Sequence, residues 1–210
     1  ANYIGPKWET GDTPMDAFDA DGMQKTMVAG CHPSMTDEYI GMHKTLREQI
    51  AGMGINYNHI VYEGGPSGYY LPGSGAADNE VAMSQLFGKS AGMGMAALDI
   101  YLYTSLMGYK HQNFFSFGSG SNWTSHTLPE MGGWHAHASW LACKMRNKYV
   151  LGDDMLAVAA NTLPDYTDAD SNVIPLTGCY AFKSPNAYSV VLTNRKFEGT
   201  HNGYDFGDGS

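Results

Sequence analysis

A glutamate at the end of an apolar segment is the first candidate for chemistry in this sequence. The run His59-Ile60-Val61-Tyr62-Glu63-Gly64-Gly65 places strand-forming side chains before a carboxylate and two glycines directly after it. Parallel α/β sheets bind ligands at the carboxyl ends of their strands. Because the glycines allow a tight turn and leave the approach to the acid open, Glu63 is a candidate catalytic carboxylate. The simpler alternative is a solvated glutamate at an ordinary strand end, which the motif alone does not exclude.

Aromatic side chains in the predicted loops are candidate sugar contacts. Trp8, Tyr69, Tyr70 and Trp123 are expected on the same side of the sheet as Glu63. Sugar rings present apolar C–H faces, which flat aromatic side chains cover at a low cost in conformational entropy. The alternative is that these loop aromatics pack on one another.

Other kinds of site lack the residues that they need. His135 and His137 are two positions apart in a predicted helix, so they point to different faces, and no third ligand has metal-site spacing. The loop Gly118-Ser-Gly-Ser lacks the lysine and the following helix of a phosphate-binding loop. It is also too short for the Gly-x-Ser-x-Gly turn of a serine nucleophile. We therefore expect no metal and no cofactor.

The bulk composition describes a folded protein that does not bind nucleic acid. With 210 residues and 43% hydrophobic side chains, the chain is long enough for one sizeable core. The net charge of −9 argues against a phosphate-backbone partner. No apolar run is long enough to span a bilayer and no signal peptide is recognised, so no membrane partner is expected. The chain begins at Ala1 without methionine, which indicates processing or excision from something longer.

Composition also favours an extracellular or secreted protein. The chain has few charged residues but 26 glycines and 14 tyrosines, a mixture typical of loop-rich, aromatic-lined proteins. Asn122-Trp123-Thr124 is a glycosylation sequon, compatible with secretion. Cys31, Cys143 and Cys179 fit neither a disulfide scaffold nor a zinc cluster. Two alternatives are open: one disulfide with one remaining thiol, or three buried thiols.

Residues 1–150 alternate between strand-like and helical segments, which predicts an α/β fold with three parallel strands. These strands are expected to end near Gly5, Glu63 and Gly118, with a loop over residues 9–24. Helices are predicted from Ser34 to Met53, from Asp78 to Met107 with a glycine-induced break, and from Gly133 to Lys148. The first should bury one apolar face, formed by Tyr39, Met42, Leu46, Ile50 and Met53. The last has four apolar residues on one side, namely Ala138, Leu141, Ala142 and Met145.

Residues 151–210 have a different character. Met155 to Ala159, Thr177 to Phe182 and Tyr188 to Thr193 read as short strands between turns, with no helical period. An all-β module is expected in this part of the chain.

These segments resemble the C-terminal part of a retaining glycoside hydrolase of the large (β/α)8-barrel clan, clan A, followed by its β-sandwich. Val61-Tyr62-Glu63-Gly64-Gly65 looks like the end of barrel strand seven, and Ala1 to Gly5 looks like the end of strand six. Phe114 to Trp123 is similar to strand eight and its loop, and Tyr188 to Lys196 is similar to a sandwich strand. The resemblance covers nearly all of the chain, through short motifs.

The resemblance implies roles for particular residues. Glu63 would be the catalytic nucleophile, and Tyr3 would orient it through a hydrogen bond. The implied substrate-binding residues are Trp8, Tyr62, Tyr69, Phe117 and Trp123.

The resemblance also implies that part of the enzyme lies elsewhere. The acid/base of this clan follows strand four, which this chain lacks if it begins at strand six; Glu9 and Glu130 are the other glutamates in predicted loops near the rim. Three strands cannot close an eight-stranded barrel. The expected fold is therefore the C-terminal portion of a barrel (1–150) and a β-sandwich portion (151–210), with the remaining barrel segment supplied by the same or another chain.

The function expected from the sequence is cleavage of poly- or oligosaccharides by a retaining double displacement. The alternative is a non-catalytic carbohydrate-binding or structural protein on a barrel scaffold without the acid/base. A third reading is an ordinary α/β domain in which Glu63 is incidental. The first two differ in whether a second carboxylate lies about 5–5.5 Å from Glu63.

Overall fold

The computed structural model describes nine segments of the chain: residues 2–4, 20–28, 41–66, 75–118, 124–127, 135–152, 154–160, 163–168 and 171–196. The elements in chain order are β1 (Asn2–Ile4), α1 (Ala20–Val28), α2 (Gly41–Gly52), β2 (Ile60–Pro66), α3 (Asp78–Lys89), α4 (Ala91–Leu106), β3 (His111–Phe114), β4 (His126–Thr127), β5 (His135–Ala136), α5 (Ala138–Tyr149), β6 (Asp154–Leu156), β7 (Asp165–Thr167), β8 (Val173–Pro175), β9 (Thr177–Lys183) and β10 (Tyr188–Asn194).

Three strands from distant parts of the chain form one parallel sheet. Its order is β1-β2-β3, and both neighbouring pairs are parallel, as the alternation of strands and helices predicted. The strands end at Ile4, Pro66 and Phe114. β2 therefore runs three residues beyond Glu63, and β3 lies earlier than the Phe114–Phe117 segment that was expected to form it. After β3 the peptide bond between Phe115 and Ser116 is cis.

Helix α4 is the central element of the molecule. One side of it contacts α1 and β1 in a cluster that includes Ile4, Met23 and Ile100. Another side packs against β9, where Leu98 and Leu102 meet the antiparallel sheet. A helix covered on several sides needs apolar residues around its whole circumference, which explains the nearly uncharged sequence of α4.

The predicted break in the long helical region is confirmed at Ser90, between α3 and α4. Ser90 has an extended backbone conformation, and its Oγ accepts a hydrogen bond from the Met93 amide at 3.2 Å. This contact is a serine N-cap, which stabilises the first turn of α4.

Gly94 allows α4 and α5 to approach closely. A Cβ atom at Gly94 would lie 2.8 Å from the backbone carbonyl of Ala138, so a larger residue does not fit without a shift. The close approach holds the two helices side by side along the sheet.

The described residues from 154 onward contain only strands, in agreement with the all-β prediction. One antiparallel sheet has the order β10-β9-β6, and β7 pairs with β8 in a separate two-stranded sheet. Tyr180 and Phe182 on one face of β9 pack on α4. The opposite face leaves Tyr188, Val190 and Leu192 of β10 exposed. The described strands form no closed barrel, and the barrel and the sandwich both stay predictions.

Two further local predictions are wrong. Residues 20–24, expected in a loop, belong to α1, whose Met23 and Met27 are buried. The apolar face of α2 was expected to be buried, but no residue of α2 is buried, and Met42 is 58% exposed. Leu141 and Met145, on one side of α5, are exposed as well. Helical periodicity identifies an apolar face, but only the surrounding elements determine whether another surface covers it.

Candidate functional site

Glu63 lies in an irregular part of β2, the central strand of the parallel sheet. Val61 pairs with Gln112 of β3, but the next pairing joins Gly64 with Phe114, so Tyr62 and Glu63 form a bulge. The ladder to β1 begins only at Gly64. A bulge redirects side chains near the end of a strand, and it leaves Glu63 half-buried beside the carboxyl end of β3.

The glycine after this bulge is required by its conformation and by its neighbours. Gly65 has a φ of 121°, which side-chain-bearing residues rarely adopt. A Cβ atom there would lie 3.3 Å from the Phe114 ring and 3.4 Å from the Tyr101 hydroxyl. Directly after Glu63, the glycine backbone therefore lies close to the Phe114 ring.

The two residues before Glu63 differ in their exposure. Val61 is buried against Tyr109 and Met107, which follow helix α4. Tyr62 is 79% exposed. The Tyr62 side chain therefore extends into solvent, whereas Val61 packs on the residues that follow α4.

The Glu63 carboxylate has no hydrogen-bond or ion-pair partner among the described residues. Glu63 is also not among the residues that line two clefts of about 360 and 310 Å³ in the described structure. Tyr3 lies on the neighbouring strand β1, with its Cα opposite Gly65, and its side chain is outside the described residues. Trp8, Tyr69, Tyr70 and Trp123 are outside the described part of the chain, as are Glu9 and Glu130.

An aromatic cluster forms around Phe117, which follows β3, the neighbouring strand of β2. Phe117 is 63% exposed and contacts His126 at a ring separation of 5.0 Å. Trp140 of α5 lies edge-on to Phe117 at 6.5 Å and meets His126 at 5.6 Å. The exposed Phe117 ring is therefore supported by the rings of His126 and Trp140. These three residues are here called the aromatic platform. This geometry fits the apolar face of a sugar.

His135 and His137 are arranged for structure rather than for metal binding. They do not lie within a helix as expected: His135 belongs to β5, and His137 is the residue before α5. His137 is buried, with Nδ1 2.6 Å from the Thr124 carbonyl and Nε2 2.8 Å from the Thr127 hydroxyl. Since a carbonyl only accepts, Nδ1 carries the proton, and both ring nitrogens have partners. No group of three potential metal ligands occurs among the described residues.

Burial also sets the protonation of His137. Burial lowers the pKa of its imidazole, while the hydrogen bond to the Thr124 carbonyl raises it and the charges of Lys89, His126 and His135 lower it. The net lowering favours the neutral ring, in agreement with its hydrogen bonds.

A second histidine cluster lies at the opposite ends of the strands. His59 precedes β2 and stacks on Tyr109, which precedes β3, at 5.0 Å with nearly parallel rings. His43 of α2 approaches the Tyr109 hydroxyl to 2.7 Å through Nδ1. Burial lowers the pKa of His59, and the nearby His43 and Arg47 lower it further. This cluster anchors the otherwise poorly covered α2.

A cleft of about 360 Å³ opens between β3, α4 and α5. Trp140, Cys143 and Asn147 of α5 line it, as does the neighbouring Arg146. The sequence analysis did not select these residues. The available signal was the spacing of Trp140, Cys143 and Asn147, which places them on one face of the helix.

No protein-family model matches this chain, and neither a curated protein nor a solved structure matches it. Within the described segments, no helix has the length and apolar character needed to cross a membrane.

Proposed function

We propose that this protein is a secreted retaining glycoside hydrolase in which Glu63 is the nucleophile. The position of Glu63 carries the proposal: it occupies a bulge in the central strand of a parallel sheet, beside the carboxyl end of β3. Catalytic groups of α/β enzymes are found at this edge of a sheet.

The aromatic surroundings support a carbohydrate substrate. Tyr62 precedes Glu63 and is 79% exposed, and Phe117, which follows the end of β3, is 63% exposed. Exposed flat rings suit a sugar ring, which stacks through its C–H faces while its anomeric carbon reaches an acid. Trp8, Tyr69 and Trp123 are proposed as further substrate contacts, and Tyr3 as the residue that orients Glu63.

The proposed reaction has two displacement steps. Glu63 attacks the anomeric carbon and forms a glycosyl ester, while a second carboxylic acid protonates the departing oxygen. That second group, then ionised, takes a proton from water, whose oxygen attacks the same carbon and releases Glu63. We assign the second carboxylate and the remaining strands to the rest of a barrel, in the same or another chain. It should lie about 5–5.5 Å from Glu63.

Replacement of Glu63 by glutamine tests the proposal. The full protein is assayed on a panel of oligosaccharides, with Glu48→Gln on the exposed side of α2 as the matched control. The amide keeps the shape of the side chain but is a poor nucleophile, so turnover should fall by about four orders of magnitude or more. A fluorinated glycoside with a good leaving group should label Glu63 covalently, detectable by peptide mass spectrometry. Parent-rate hydrolysis by Glu63→Gln, or label on another residue, contradicts the assignment.

A non-catalytic carbohydrate-binding protein is the second candidate. The observation that favours it is the lack of any donor or second carboxylate bound to Glu63 in the described residues, because a nucleophile is normally held by such groups. If the protein binds an oligosaccharide but neither cleaves it nor is labelled covalently, this alternative is supported.

A further inference from the structure

The cleft between β3 and α5, called the β3–α5 cleft below, has a positive lining in a negative protein. The charged residues that line it are Lys110, directly before β3, and Arg146, on α5. No aspartate or glutamate is among the residues that line it. Since the whole chain carries a net charge of −9, this local excess of positive charge is a specific property of the cleft.

Arg146 is held in place without a carboxylate partner. Its guanidinium lies over the ring of the buried Phe182, with Cζ 5.3 Å from the ring centroid. Nη1 donates to Asn147 Oδ1 at 3.1 Å, which fixes the direction of the group. No acidic side chain pairs with Arg146 in the described part of the chain. A half-buried, oriented guanidinium with unused donors is suited to bind a carboxylate or a sulfate.

Cys143 does not offset this positive charge. Burial raises the pKa of its thiol to about 11, although the neighbouring Arg146 acts in the opposite direction. The thiol is therefore neutral at physiological pH and contributes no negative charge to the β3–α5 cleft.

Trp140 supplies a flat apolar wall at the upper end of the cleft. It lies edge-on to Phe114, with ring centroids 6.0 Å apart, and both residues line the cleft. The indole N–H donates to no acceptor among the described residues. An indole next to a guanidinium combines ring stacking with anion binding.

We propose that the β3–α5 cleft binds an anionic sugar unit, with the carboxylate or sulfate on Arg146 and the ring against Trp140. Its volume of about 360 Å³ is near the lower end of small-ligand pockets and suits one or two sugar rings. Glu63 does not line the cleft. The acidic unit would therefore bind apart from the proposed nucleophile. Trp140 belongs to both the cleft and the aromatic platform, so binding in the cleft would add a preference for acidic saccharides.

Binding of four probes to the full protein tests this site. Galacturonate, a sulfated galactose, glucose and inorganic sulfate are titrated separately by ligand-observed NMR, up to about 10 mM because single sugar units bind weakly. The two anionic sugars should bind, and glucose should bind at least about tenfold more weakly, because it cannot form the charge-assisted hydrogen bonds. Sulfate that binds as well as both sugars indicates a simple anion site and contradicts the sugar assignment. Equal binding of glucose and galacturonate also overturns it, as does a lack of binding by every probe.

Matched variants locate the binding. Arg146→Gln should weaken galacturonate binding about tenfold or more, whereas Lys148→Gln, which removes an exposed charge from the same helix, should change it less than about twofold. Circular dichroism checks that each variant is folded. Unchanged affinity in Arg146→Gln overturns the proposal.

The parent protein provides a readout that needs no substitution. At about pH 9, where more of the thiol is ionised, galacturonate should slow alkylation of Cys143 by iodoacetamide and leave that of Cys179, outside this cleft, unaffected. Mass spectrometry of the labelled peptides distinguishes the two thiols. Equal effects on both, or no effect on Cys143, contradict binding in the β3–α5 cleft.

Discussion

The guanidinium of Arg195 donates hydrogen bonds to both carboxylate oxygens of Asp99, although the two residues are 96 positions apart. Asp99 belongs to α4, Arg195 directly follows β10, and their side chains are 0% and 2% exposed. The hydroxyls of Tyr180 and Thr193 also donate to Asp99. Arg195 donates further to the Pro175 carbonyl at 2.7 Å. This network fastens the antiparallel sheet to the central helix.

Loss of one partner should destabilise the fold strongly. In Asp99→Leu the charge of Arg195 remains buried without a counter-charge, so the free energy of unfolding should fall by about 3–5 kcal/mol. Urea unfolding followed by circular dichroism measures the change. The double variant Asp99→Leu with Arg195→Met removes both charges, and it should recover a large part of the loss. An unchanged urea midpoint for Asp99→Leu would show that the pair does not hold the sheet to α4.

The contact between α4 and α5 predicts that Gly94 does not tolerate a methyl group. Gly94→Ala should destabilise the protein by about 1–3 kcal/mol, because the new Cβ meets the Ala138 backbone, which cannot rotate away. Gly52→Ala is the matched control, since nothing lies within 4 Å of a Cβ at that helical position. It should be neutral or slightly stabilising, by less than about 1 kcal/mol. The same denaturation midpoint for both variants would contradict the close approach of the two helices.

The protein should lose stability as the pH falls below about 6.5. Burial lowers the pKa of His59 and His137 in the folded state from the ordinary value of 6.5. The unfolded state therefore takes up more protons in this window, so the stability is fully present above it and declines as the pH falls through it. Unfolding in urea at about pH 7.5, 6.5 and 5.5 measures the slope.

His137 should account for part of this pH dependence. His137→Gln should flatten the slope, whereas His111→Gln, at an exposed position of β3, should leave it as in the parent. If His137→Gln and the parent have the same slope, the buried imidazole is not a source of the pH dependence.

The aromatic platform predicts a role for Phe117 in carbohydrate binding. Phe117→Ala should weaken binding of a neutral oligosaccharide about five- to tenfold through loss of the stacking ring. Stability should change by less than about 0.5 kcal/mol, because the ring is mostly exposed. Tyr188→Ala removes an exposed ring from the antiparallel sheet and should leave binding unchanged. Equal effects of both substitutions would count against a specific platform.

Local patterns in the sequence were sufficient for much of the secondary structure. The apolar segment before Glu63 indicated β2, the glycines between Asp78 and Met107 indicated a break, and short turn-bounded strands indicated the all-β end. These features depend on residues that are close in sequence, so the spacing of apolar and turn-forming residues along the chain reveals them. Glu63 was selected as a candidate because its motif is continuous in the sequence.

Only the tertiary structure decided how distant segments meet. A single acid in the apolar helix α4 suggests a buried partner, but nothing in the chain identifies Arg195 as that partner. The same holds for the cleft of Trp140 and Arg146 against β3, and for the bulge that places Glu63 within β2 rather than at its end. In α2 the sequence shows an apolar face, but no residue of the helix is buried, so the pattern did not reveal that the face stays uncovered. Burial and pairing arise from contacts between elements, and periodicity within one element carries no information about which surface will cover it.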